Sequence, residues 1–105
     1  MQVTFNEEYL EELYTEGKSR DKKHRYQPQV VRGYQKAIKY LIHANRIEDL
    51  FPFKSLHVEA LHGDKEGRFS VRANDQYRVE FTISDTDEEP VITVCTILEL
   101  SNHYK

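Results

Sequence analysis

Arg68, Arg72 and Arg78 are the side chains best placed by type and spacing to do chemistry. Arg68 and Arg72 alternate with Phe69 and Val71, and Arg78 alternates with Tyr77, Val79 and Phe81, across a tight Asn74-Asp75-Gln76 turn. If segments 68–74 and 77–83 pair as a hairpin, the apolar residues share one face. Arg68, Ser70, Arg72, Arg78, Glu80 and Thr82 then share the other. Clustered guanidinium groups suit a bidentate grip on phosphate and can neutralise the charge that builds at phosphorus during phosphoryl transfer. The competing reading is a solvated sheet face. Arg78 and Glu80 are not expected to meet along one strand without help, although cross-strand ion pairs are accessible.

Proton transfer needs further groups. The HGDKEG turn offers His62 and Lys65, and the sequence ends with Ser101, Asn102, His103, Tyr104 and Lys105. Cleavage of RNA by its own 2′-hydroxyl requires a base, an acid and a cationic clamp, and no metal. His62 and His103 are the histidines expected near the arginine face, with an ordinary pKa suited to neutral pH. Metal binding is not expected: His57 and His62 are an odd number of residues apart and should diverge, and Cys95 lies in the apolar run VITVCTIL. The DTDEEP segment lacks the length and glycine of a calcium loop and reads as a turn. Walker A, GxGxxG, HExxH and GxSxG patterns are all missing, so no cofactor is expected.

The elements that must position these groups follow from periodicity. Gln2 to Phe5 alternates as a short strand; Asn6 is a fitting N-cap for a helix over 7–16, and Gly17 a fitting stop. Pro28 suits the first turn of a second helix, in which Val30, Val31, Tyr34, Ala37, Ile38, Leu41 and Ile42 recur at helical spacing. The RIEDLF segment adds a helical turn before Pro52. From Leu56 the period becomes two, which predicts strands near 56–60, 68–74, 77–83 and 91–98, the last apolar on both faces. The expected fold is α+β: one domain over 1–105, with an N-terminal strand and two helices packed on a twisted antiparallel sheet. With no basic leader and no long apolar run, a cytoplasmic protein is expected.

The net charge of −3 conceals segregation. Glu7, Glu8, Glu11, Glu12 and Glu16 crowd the first helix, and Asp85, Asp87, Glu88 and Glu89 crowd one turn. Between them lies a basic middle that includes Lys18, Lys22, Lys23, Arg25, Arg32, Lys36 and Lys39. Such a local field can bind phosphate on an acidic protein. Lys22, Lys23, Lys36 and Lys39, with Lys65 and Arg68, are therefore expected to contact RNA; the alternative is a solvated helix face.

The run LHVEALHGDKEGRFSVRANDQYRVEF resembles the signature of HigB-type toxins of the RelE superfamily. These carry a Leu-His, then Leu-Lys-Gly-Asp, an aromatic-Ser-Val core strand, Val-Arg-Ala-Asn, an aromatic-Arg pair and a terminal Tyr/His. The resemblance implies ribosome-dependent, metal-independent cleavage of mRNA and inhibition by a helix-turn-helix antitoxin. It implies that Arg72 and Arg78 hold the scissile phosphate and that His103 or Tyr104 takes part in proton transfer or base stacking. His62 stands where the family usually has lysine, so that role either becomes titratable or passes to Lys65. The other reading is a ParE-like toxin, which shares the fold but inhibits DNA gyrase without nuclease chemistry.

Overall fold

The computed structural model describes residues 1–102. Strand β1 (Gln2–Phe5) leads into helix α1 (Glu8–Thr15), and a polar segment carrying a short 3-10 turn leads to helix α2 (Pro28–His43). Irregular turns then precede β2 (Glu59–Ala60), β3 (Phe69–Arg72), β4 (Tyr77–Asp85) and β5 (Thr93–Asn102). The sheet runs β1-β5-β4-β3-β2. From β2 to β5 it is an antiparallel meander, and β1 closes the other edge in parallel with β5.

Local chemistry accounts for the helix ends. Pro28 occupies the first turn of α2, where a missing N–H costs nothing. Glu7, not Asn6, takes the N-cap position of α1, because the Asn6 N–H donates to Ile97 O at 2.9 Å and so continues the β1–β5 pairing by one residue. Gly17, with φ +78°, turns the chain out of α1.

The apolar stripe of α2 packs as its spacing predicts: Val30, Val31, Tyr34, Ala37, Ile38 and Leu41 are buried, with Leu10 and Leu13 of α1 and Val71, Val79, Phe81, Cys95 and Ile97 of the sheet. Ile42 departs from the stripe and is exposed. Tyr34 buries its ring and donates its hydroxyl to Leu10 O at 2.7 Å, which ties the two helices together. At Gly33, a Cβ would lie 2.0 Å from Ala73 O. A glycine is what lets α2 approach the end of β3 so closely.

Strand β5 contains the irregularity that shapes the site. Glu80 pairs with Glu99, but the next residue of β4, Phe81, pairs with Ile97, leaving Leu98 as an extra residue. Simple alternation from the buried Cys95 and Ile97 would turn Glu99 and Ser101 into the core. The bulge reverses the parity, so Leu100 is buried against the helices and Ser101 reaches Glu80. Cys95 is fully buried, and burial pushes its thiol pKa up to about 12.

Candidate active site

On β3 and β4, Ser70 pairs with Glu80 and Arg72 with Arg78. Val71 and Val79 are fully buried, so alternation sends the polar set to the face away from the helices. There, a concavity of about 650 Å³ is lined by residues that include His57, Glu59, Arg72, Gln76, Tyr77 and Arg78. Arg72 and Arg78 therefore stand side by side, two cations on adjacent strands, at the wall of a cavity large enough for a nucleotide. Asp75 forms an ion pair with Arg72 from the hairpin turn, and Asn74 Oδ1 shapes that turn by accepting from the backbone N–H groups of Gln76 and Tyr77 at 3.0 and 2.8 Å.

Behind the arginine pair lies a buried anion. Glu80 is fully buried and accepts from Lys65 Nζ at 2.8 Å, Arg68 Nη1 at 3.1 Å and Ser101 Oγ at 2.7 Å. Burial raises its pKa, but the hydrogen bonds from Lys65, Ser101 and Arg68 and the charge of Lys65 outweigh burial and hold it below the usual carboxylate value. Arg78 Nε approaches Glu80 Oε2 to 3.4 Å. The pair thus does meet along one strand. The Nε is buried without an aligned acceptor, so the contact is coulombic attraction rather than a hydrogen bond.

The sequence-predicted residues separate into distinct places. Arg72 and Arg78 line the concavity. Arg68 and Lys65 are turned to Glu80 and Glu99. His62 is not a lining residue; it is highly exposed, with Nδ1 3.6 Å from Glu66 Oε2. His103 and Tyr104 lie outside the described residues. Lys22 and Lys23 sit on the 3-10 turn Lys22–His24, where Asp21 Oδ1 accepts from Lys23 N at 2.9 Å and His24 stacks on Tyr9. Just beyond it, Tyr26 meets Tyr77 edge to face, 5.4 Å between ring centroids. Lys36 and Lys39 line a separate groove on the helical layer.

His57 and Glu59 were not singled out for the site from sequence. His57 adopts a left-handed conformation, φ 47°, ψ 57°, at the end of a 3-10 turn, and Glu59 opens the edge strand two residues later. Left-handed backbone is uncommon outside glycine, though histidine tolerates it better than most, and such strain gathers at functional sites. Among the described residues, no ion pair involves Glu59. The concavity thus combines two cations with a carboxylate and an imidazole that take part in no salt bridge among the described residues. Among the described residues, no group of His, Cys, Asp or Glu side chains is arranged to hold a metal ion, and no helix is long and apolar enough to cross a membrane.

Among solved structures, the fold is similar to that of a "YoeB/ParE toxin from Agrobacterium tumefaciens", with a TM-score of 0.55 and 16% identity, covering 99% of this chain and 100% of that one. This likeness shows a shared α+β architecture. Residues 3–92 match the family of HigB-like toxins, described as the RelE-like toxin of type II toxin-antitoxin system HigB. The chain therefore belongs to the HigB-like toxin family, and an antitoxin partner follows from that membership. No match was found among curated proteins.

Proposed function

We propose that this toxin is an endoribonuclease that cleaves mRNA on the ribosome, with the scissile phosphate held in the concavity of Arg72 and Arg78. The observation that carries the reading is the in-register pairing of these two arginines at a cavity that also presents Glu59 and His57. In the reaction, a base removes the proton of a 2′-hydroxyl, its oxygen attacks the adjacent phosphorus, and the 5′-oxygen leaves with a proton from an acid. The products are a 2′,3′-cyclic phosphate and a free 5′-hydroxyl. Glu59 or His57 serves as the base, and His103, with Tyr104, supplies the acid end. Arg72 and Arg78 balance the charge gained at the non-bridging oxygens, and such preorganised donors are worth about a hundredfold to a thousandfold each in rate. Tyr77, braced by Tyr26, offers a ring for a base to rest on. Lys22 and Lys23 extend the basic surface toward ribosomal RNA.

The test is cleavage of a defined mRNA on purified ribosomes, with 5′ ends mapped for the native toxin and for Arg78→Ala. Cuts that vanish in the variant support the reading. Intact mRNA with the native protein, alongside blocked gyrase supercoiling, would sink it in favour of a ParE-like toxin and its helix-turn-helix antitoxin would then guard a different target.

A further inference from the structure

The two arginines of the concavity are held by different means. Arg72 is anchored from outside, by the highly exposed Asp75 of the hairpin turn. Arg78 is held from within: among the described residues its ion pairing runs through Nε alone, to Oε2 of the fully buried Glu80 at 3.4 Å. The Nε is itself buried, while the residue as a whole belongs to the cavity wall. A planar guanidinium engaged at Nε keeps its two Nη groups for another acceptor.

Glu80 is pinned more firmly than one ion pair needs. Its Oε1 accepts from Arg68 Nη1, and its Oε2 accepts from both Lys65 Nζ and Ser101 Oγ. Lys65 and Arg68 precede β3 and Ser101 lies on β5, so the carboxylate of this β4 residue is gripped from both flanks of its strand. Ser101 is also the residue directly across from Arg78 in the β4–β5 register. These three donors already satisfy the carboxylate. The approach of Arg78 adds no hydrogen bond, because its Nε has no aligned acceptor. A buried donor left unmatched is uncommon and calls for a reason other than stability.

We infer that Glu80 is a positioning residue for cleavage: its pinned carboxylate sets the angle of the Arg78 guanidinium, so that the Nη groups meet the scissile phosphate already aligned. The inference rests on the nuclease reading, in which Arg78 balances charge at the non-bridging oxygens. Glu80 is fully buried and touches no RNA; it acts through Arg78. Ser101 acts one step further out, by holding the oxygen that faces Arg78 Nε.

The test is single-turnover cleavage of a defined mRNA on purified ribosomes, titrated with toxin to separate the saturating rate from the half-saturating concentration. The native toxin is compared with Glu80→Gln, Ser101→Ala, Arg78→Ala and the double variant Glu80→Gln/Arg78→Ala, each checked for folding by circular dichroism. Glu80→Gln keeps the shape of the side chain and removes its charge. It is expected to lower the saturating rate about tenfold to a hundredfold, with half-saturation moved by less than about twofold. In the Arg78→Ala background the same substitution should cost less than about twofold, because the group it positions is gone. Ser101→Ala should show a smaller loss of the same pattern, and it carries the comparison if Glu80→Gln does not fold. Side-chain NMR of the arginine Nε–H groups gives a reading independent of cleavage: the Arg78 signal should lose protection from solvent exchange in both variants, and the Arg72 signal should not change. A merely structural role would lower the rate equally in both backgrounds. That result, an unchanged rate in the folded single variants, or an unchanged Arg78 signal would overturn the proposal and leave the nuclease standing. Intact mRNA with the native toxin would instead overturn the nuclease reading and this inference together.

Discussion

Glu80 and Glu99 stand directly opposite each other across β4 and β5, and Lys65 and Arg68 close the gap between them. Like charges in that position repel. Here the nearer carboxylate is dry, and each cation contacts both acids. The cluster fixes the segment before β3 against the sheet, and Arg78 abuts the same carboxylate through its Nε. The positions of the arginine pair and of this internal cluster are thus coupled through one buried side chain.

Glu80→Ala tests that coupling. Removing one partner of a buried ion pair costs about 3–5 kcal/mol, but Lys65 and Arg68 reach solvent over roughly a third of their side chains, so about 2–3 kcal/mol is expected. Urea denaturation checks it. A loss below about 0.5 kcal/mol, typical of an ordinary surface substitution, would show that the cluster does not brace the sheet.

The same carboxyl sets an acid limit. Its folded pKa lies below its unfolded value, so the stability it contributes is fully present above the unfolded pKa of about 4.3. That contribution is lost as pH falls through the lower folded value. Unfolding free energies measured from pH 6 down to pH 3 should fall less steeply at the acid end in Glu80→Gln than in the native protein. Parallel slopes would mean that Glu80 carries no depressed pKa.

Gly33→Ala probes the contact that places Arg72. An added Cβ would stand 2.0 Å from the backbone of Ala73, which no side-chain adjustment relieves. Helix α2 must move, at about 1–3 kcal/mol, or a fall in Tm of several degrees. Thermal unfolding checks this, and an unchanged Tm would contradict so close an approach.

Which parts of this were legible beforehand follows from what decides each one. The α2 stripe and the β3–β4 alternation are set by local period, so Tyr34, Val71 and Val79 sit where spacing puts them. The division among the arginines was not legible. Arg68 and Arg72 have the same parity, and only the bulge at Leu98 brings Glu99 and Ser101 to the face where Arg68 is captured. His57 was hidden for a similar reason: no motif announces a left-handed histidine, and the tertiary path from the 3-10 turn into the edge strand creates it.

Arg72 and Arg68 should therefore behave differently despite their similar sequence setting. On the proposed reading, Arg72→Ala and Arg78→Ala each lower the cleavage rate about a hundredfold to a thousandfold with modest change in stability. Lysine restores little of it, because a point charge lacks the planar fork. Arg68→Ala should chiefly lower stability. Single-turnover cleavage set beside denaturation separates these effects, and equal rate losses for Arg68 and Arg72 in fully folded variants would reject the division.

The base can be assigned by paired substitutions. Glu59 is exposed and outside any described ion pair. If Glu59 takes the 2′-hydroxyl proton, Glu59→Gln should lose at least about a hundredfold in single-turnover rate, whereas His57→Asn loses far less. If His57 is the base, His57→Asn should instead be the damaging change. Asparagine also tolerates the left-handed backbone at this position, so that variant tests the imidazole rather than the turn. Comparable, mild losses in both variants would remove the base from this concavity altogether.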